Sequence, residues 1–248
     1  MLAVEAAKSR LAREIGQETG LFYVPEVIGF DPKAGVLDFE RLEGLVTLLQ
    51  LVVRRDERVV ELVKRAGQAL AIVHEKLVLP DDMKHELPEE WMDHSGQNVF
   101  IHGDFAMCNL SFHETSGQLV IVDWSGAPLL GRTPAFGSRY FDVLWFASSV
   151  FLDAPLKRML DSRFEKMTDA FLMGYASGSS DRLNKLLIYV PAIRRLHRKN
   201  IWYLSRRHEA LLRRLVYDLC QIVMYVRFCR FLRRYEQERR LSGKCQFA

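Results

Sequence analysis

Residues 98–126 read NVFIHGDFAMCNLSFHETSGQLVIVDWSG, and the order of apolar and polar pieces in this stretch decides the fold. An apolar run (Val99, Phe100, Ile101) leads into the polar turn HGDFAMCN. A second short apolar piece, a turn at Glu114 to Gly117 and a third run from Leu119 to Val122 follow, and the last ends in Asp123. Short β-rich runs bounded by Gly, Asn and Ser read as strands, with Thr115, Ser116 and Gly117 as a hairpin turn. Asp104 and Asn109 then share one loop, Asp123 closes a neighbouring strand, and three oxygen-bearing side chains converge. Such a set suits Mg²⁺, which takes a few carboxylate or amide oxygens and completes its octahedron with waters and phosphate oxygens. In phosphoryl transfer one such group accepts the proton of the attacking hydroxyl while another holds metal.

A lone Asp or Asn in a loop is by default a turn former. Here it is the joint spacing of Asp104, Asn109 and Asp123 that points to chemistry. His102, Cys108 and His113 do not make a zinc site, because no CxxC or HExxH pair supports one.

The pattern HGDxxxxN (His102, Gly103, Asp104, Asn109), followed by Val122, Asp123 and Trp124, resembles the aminoglycoside phosphotransferase and choline kinase branch of the protein-kinase-like fold. The resemblance implies an α+β chain, with a small partial N-lobe over residues 1–44 and a larger, mainly helical C-lobe over residues 45–248. It makes Asp104 the catalytic base, Asn109 and Asp123 the Mg²⁺ ligands, and His102 the brace of the loop. ATP is then the donor, its adenine edge meeting the backbone of a hinge at Glu40 to Gly44, including Glu40 and Leu42. Asp142 matches a family Asp that opens a helix and hydrogen-bonds back to the catalytic loop, a supporting role.

The departure lies upstream. Relatives begin with a phosphate-covering Gly-rich loop and a strand lysine that pairs with a glutamate on the next helix. This chain starts at that helix, with Glu5 as the candidate glutamate and Glu14 as the alternative; Lys8 lies within the helix and is not read as a replacement for the strand lysine. The expectation is either a protein that starts upstream of Met1 or a lobe-trimmed form with impaired nucleotide binding.

The 248 residues, 49% hydrophobic and 27% charged, have an ordinary globular composition able to bury a full core. The net charge of +4 hides an asymmetry. From residue 185 onward there are 16 Lys+Arg against 4 Asp+Glu, leaving 19 basic and 27 acidic residues before it. Such polarity marks a surface for something anionic. Cys108, Cys220, Cys229 and Cys245 show no framework spacing, and the N-terminus lacks the basic and apolar regions of a signal peptide, so a reducing, cytoplasmic compartment is expected. The best apolar run, Val143 to Leu152, is too short to span a bilayer.

Around the central stretch, residues 3–18 read as a helix with Val4, Ala7, Leu11 and Ile15 on one face, and VPEVIGFD and GVLDFERLEG as an antiparallel pair. Residues 45–53 and 57–77 carry helical patterns; His74 near the end of the second takes a structural role. Residues 80–98 form an acidic surface loop with a short helix near Glu89 to Asp93, and the segment to Gly137 is irregular, equivalent to an activation segment. Tyr140 to Phe151 read as a buried helix. Further helices are expected over 155–176, 181–199 and 201–240, the last with an apolar face from Leu211 to Leu232 packed in the core and basic pairs beside it, among them Arg206 and Arg207.

These readings combine into an ATP- and Mg²⁺-dependent phosphotransferase acting on a hydroxyl of a small molecule or glycolipid. The basic face of the C-terminal helices is either a solvated face or a surface for a phosphorylated or lipid acceptor at a membrane, so the expectation is a cytoplasmic chain, with a peripheral place at the membrane as the second option. The basic helices argue against a polycationic aminoglycoside, and against nucleic acid because aromatics are not interleaved with the basic residues. The rival reading is a catalytically impaired pseudokinase acting as a binding or scaffold protein.

Overall fold

A computed structural model describes residues 2–126, 130, 135–153, 161–179, 183–205 and 211–244. Most of the expected activation-segment equivalent, the start of the helix expected from 155 and the pair Arg206 and Arg207 lie outside the described residues.

Helix α1 (Leu2–Thr19) is followed by a hairpin of β1 (Val27–Asp31) and β2 (Val36–Phe39). Asp31 Oδ1 accepts from the backbone N–H of Lys33 and Ala34, which folds the turn onto itself. Residues 45–53 are not one helix. Leu45–Thr47 form strand β3, paired with β5 (Leu110–His113), and α2 (Leu48–Arg54) starts only after it. Thr47 makes the switch: its Oγ1 accepts from Gln50 N at 3.1 Å while Gln50 Oε1 accepts from Thr47 N at 2.9 Å, a reciprocal cap.

The three apolar runs of the central stretch do not share one sheet. Strand β4 (Asn98–Phe100) pairs with β7 (Phe136–Ser138), whereas β5 and β6 (Leu119–Ile121) join β3 in the order β3-β5-β6. Tyr23 stitches the N-terminal part to that sheet, donating to Leu119 O at 2.8 Å and accepting from Ile121 N at 2.9 Å.

Beneath the sheets lie α3 (Val59–Lys76), α4 (Tyr140–Leu152) and α5 (Arg163–Gly178). Every residue of α4 is buried, so it is the central rod of the helical lobe. Helices α3 and α5 meet backbone to backbone through glycines: a Cβ at Gly174 would lie 2.1 Å from Lys64 O, and one at Gly67 2.2 Å from Phe171 O. Only a residue without a side chain permits that approach.

The C-terminal helices begin later than their periodicity suggests. Leu186–Tyr189 is a 3₁₀ turn, and α6 (Val190–Ser205) opens with Pro191 in its first turn, where a missing N–H has no partner to lose. Helix α7 (Leu211–Lys244) is a separate element. Its core contact is made by Met224, Phe228, Phe231, Leu232 and Tyr235, while Leu211 to Val226 carry an exposed apolar face in place of the expected buried one. The acidic stretch of residues 80–98 is tied to this region: Lys185 pairs with Asp93 at 3.0 Å and Arg195 with Glu90 at 2.6 Å.

Candidate active site

The loop from Ile101 to Asn109 is held from three sides. Ile101 N donates to Ala135 O at 2.9 Å, which continues the β4–β7 pairing. Gly103 has φ of 95°, a conformation for which glycine is the natural residue. At the far end Asn109 O accepts from Val122 N at 3.0 Å, binding the loop to the residue before Asp123.

Asp142, the third residue of α4, clamps the middle. Its Oδ2 accepts from His102 N at 2.7 Å and its Oδ1 from Gly103 N at 2.9 Å. His74 Nε2 donates to the same Oδ2 at 3.1 Å, while His74 Nδ1 accepts from Tyr175 Oη at 2.8 Å. Asp142 and His74 are fully buried. Burial by itself would push the Asp142 carboxyl up; the bond from His74 and the neighbouring donors outweigh it, and the carboxyl lies below its ordinary range.

His102 is buried, and burial drives its pKa down to about 4, so the ring is neutral. Its Nδ1 accepts from Asp104 N at 3.2 Å, which leaves Nε2 to carry the proton toward Val122 O at 3.2 Å. The ring packs on Trp124 with centroids 4.4 Å apart, so His102 ties the loop to the strand end bearing Asp123.

The carboxylate of Asp104 is mostly buried and held by two side-chain donors. Trp145 Nε1 donates to its Oδ1 at 2.7 Å and Asn109 Nδ2 to its Oδ2 at 3.0 Å. Burial raises its pKa to about 6, helped by the charge of Asp123 and opposed by those two hydrogen bonds. The Asn109 amide nitrogen also donates to Asp104 O at 2.9 Å, so both its hydrogens serve Asp104 and its Oδ1 is left to other partners. Asp123 is exposed at the end of β6 with φ of 61°, a left-handed conformation that costs a non-glycine residue about 1 kcal/mol, and Ser125 Oγ donates to its carboxylate. Among the described residues no three His, Cys, Asp or Glu side chains form a metal cluster. One amide oxygen and one carboxylate suit Mg²⁺, which is commonly held by few protein oxygens and completed by phosphate.

Two residues of the site escaped the sequence reading. Lys8 is fully buried and donates through Nζ to His102 O, its ammonium set among the charges of Asp142, Glu5, Asp123 and Asp104. Burial lowers its pKa to about 8 against the opposing pull of those carboxylates. The available signal was a basic residue one turn from Val4 and from Ala12, on what proves to be the buried face. The second is Trp145, for which the signal was that a buried indole N–H demands an acceptor.

Of the other expected residues, Glu5 shares this cluster, its pKa raised by burial and then by Asp123. The hinge residues stand apart. The Glu40 carboxylate accepts from Tyr23 Oη at 2.6 Å and Arg13 Nη1 at 3.3 Å, and its N–H is bonded to Glu26 O at 2.8 Å. Leu42 is half-buried on the segment between β2 and β3.

A loop carrying Asp104, a strand end carrying Asp123 and a mainly helical lobe with a buried α4 beneath them constitute a protein-kinase-like fold. A choline/ethanolamine kinase family protein from Mesorhizobium loti superposes with a TM-score of 0.50 at 15% identity, over 92% of this chain and 78% of its own. A glucosamine kinase superposes with a TM-score of 0.56 at 14% identity, over 90% of this chain and 68% of its own. Glucosamine kinase in complex with glucosamine, ADP and inorganic phosphate does so with a TM-score of 0.52 at 14% identity, over 81% and 64%. No family model and no curated protein matches the sequence.

Proposed function

We propose that this cleft transfers the γ-phosphoryl group of ATP to a hydroxyl of a small molecule or glycolipid. The observation that carries the reading is the fixed pair Asp104 and Asn109: one amide orients the base with its nitrogen and offers its oxygen to a metal. Asp104 accepts the proton of the attacking hydroxyl at Oδ2, on a carboxylate whose Oδ1 is held by Trp145. Asn109 Oδ1 and the Asp123 carboxylate hold Mg²⁺, which when bound neutralises phosphate charge. Lys8 and Glu5 lie on the same side of the site and set its charge. The backbone of Glu40 to Leu42 is the segment assigned to the adenine edge. That the solved neighbours are choline/ethanolamine and glucosamine kinases supports a small hydroxyl compound as acceptor.

The test is calorimetric binding of ATP with and without Mg²⁺, together with label transfer from γ-labelled ATP to choline, ethanolamine, glucosamine and a glycolipid extract. Asp123→Asn is expected to lose the magnesium-dependent part of binding. Asp104→Asn is expected to keep binding and to lose transfer by about 10²–10⁴-fold. Full transfer by Asp104→Asn overturns the assignment.

A second reading, a non-catalytic binding protein, has one observation in its favour: the Lys8 ammonium already supplies a cation to the carboxylate cluster. It requires that ATP binding be absent or independent of Mg²⁺ in the same titration.

A further inference from the structure

Helices α6 and α7 enclose a groove of about 900 Å³ on the side of the helical lobe. Arg194 and Arg198 from α6 and Arg230 and Arg233 from α7 line it, and among the described residues none of the four has an acidic partner. The wall also contains two orphaned polar atoms, buried and without a hydrogen-bond partner among the described residues: His197 Nε2 and Asp218 Oδ1. His197 is 4% exposed, and its ring lies in the groove wall.

The groove opens beside the exposed face of α7. Leu212, Leu215, Leu219, Ile222 and Val226 recur at helical spacing, with Leu219 63% exposed and Leu212 72%. This stripe runs for about 21 Å at 1.5 Å per residue. Eighteen residues are five whole turns, so Arg230 falls on the azimuth of Leu212 and Arg233 on that of Leu215. One helix face is therefore apolar for four turns and cationic for the next, beside two further arginines from α6.

We propose that this face docks on an anionic lipid bilayer, the α7 stripe entering the headgroup region and the four arginines taking up lipid phosphate. Charge complementarity selects this occupant, since the chain from residue 185 onward holds 16 Lys+Arg against 4 Asp+Glu. A second copy is disfavoured: in a parallel pairing of α7 with α7 the arginines face each other, and in an antiparallel one they are buried on the partner's leucines. No helix of the described residues is long and apolar enough to cross a membrane, so the association is peripheral. The docking does not rest on phosphoryl transfer. Joined to it, the docking makes a lipid-borne hydroxyl the acceptor class. Trp145, which donates to Asp104, stacks on His197 of the groove with centroids 5.5 Å apart.

The test is flotation of the full chain with vesicles of phosphatidylcholine alone and of phosphatidylcholine with about one-third phosphatidylglycerol, a readout independent of Asp104. Binding is expected to the anionic vesicles only, weakening steeply with salt. At about fivefold in affinity per arginine near the surface, Arg230→Ala with Arg233→Ala loses about 25-fold. Leu215→Ser with Leu219→Ser, at exposed positions where folding is insensitive, loses binding as well. Equal binding to neutral vesicles, no binding to either, or full binding by both double variants overturns the proposal. So does a dimer in light scattering that Leu219→Glu dissociates.

Discussion

Asp104→Asn should make the protein more stable at neutral pH while disabling it. The folded-state pKa of Asp104 is raised from the ordinary 3.8 to about 6, chiefly by burial. Each tenfold change in proton affinity corresponds to about 1.4 kcal/mol, so at pH 7 the ionised carboxylate costs the folded state about 3 kcal/mol. Between pH 4 and 6 the folded protein binds a proton that the unfolded chain has already lost, so this group makes stability fall as pH rises through that window. An asparagine removes the charge and keeps an oxygen for the Trp145 N–H. Its own amide then meets the Asn109 amide, donor against donor, which forfeits one hydrogen bond of about 1 kcal/mol. The net expectation is a gain of about 1–2 kcal/mol at pH 7, a rise of roughly 3–6 °C in Tm for a chain of this size. The gain shrinks by about 2 kcal/mol on going to pH 4.5. Urea unfolding of both proteins at several values of pH between 4 and 7.5 reads this directly. A variant less stable than the parent at pH 7, or a difference that does not change with pH, refutes the claim that the cost of desolvating the Asp104 carboxylate outweighs the hydrogen bonds it accepts.

Two further outcomes follow from buried contacts. Lys8 titrates near pH 8 when folded against an ordinary 10.5, so the unfolded chain binds more protons between those values and Lys8 makes stability rise with pH there. Relative to Lys8→Met, the parent should gain about 2 kcal/mol between pH 7.5 and 9.5 in urea titrations, and parallel pH curves would show that the ammonium is solvated. Gly174→Ala adds a methyl 2.1 Å from Lys64 O at the α3–α5 contact and should destabilise by about 2–4 kcal/mol despite the better helix propensity of alanine, whereas an unchanged unfolding midpoint would mean that the helices separate freely.

The loop was legible because its chemistry is local. Asp104 and Asn109 lie five residues apart, and the strand ending in Asp123 is reached through one hairpin, so spacing alone brings them near each other. Helices α3 and α4 were legible from length and apolar content. Strand β3 was not, because three residues are too few to show a period and Leu45 to Val53 read equally well as a helix. Helix α7 defeated the pattern differently. Apolar residues lie on more than one azimuth, with Met224, Phe228, Phe231 and Leu232 on one side and Leu215, Leu219, Ile222 and Val226 on another, and periodicity cannot say which side meets the core. In α1 the expected face of Val4, Ala7, Leu11 and Ile15 is rotated slightly: Ala7 and Leu11 are half-buried while Lys8 and Ala12 are buried.

That small rotation carries the larger consequence, since it is what brings a cation onto the loop of Asp104. Three of the contacts that set charge at the site span long separations: Lys8 reaches a residue 94 positions away, Trp145 one 41 away and Asp142 one 40 away. A motif records which groups are present in a loop. Whether Asp104 is poised near pH 6 depends on how deeply α1 and α4 bury it and on which donors they aim at it, and those quantities exist only after packing. The clamp of Asp142 on two backbone N–H groups is such a placement: it acts on the loop from 40 positions away, and the residues packed around it can satisfy that constraint in many ways.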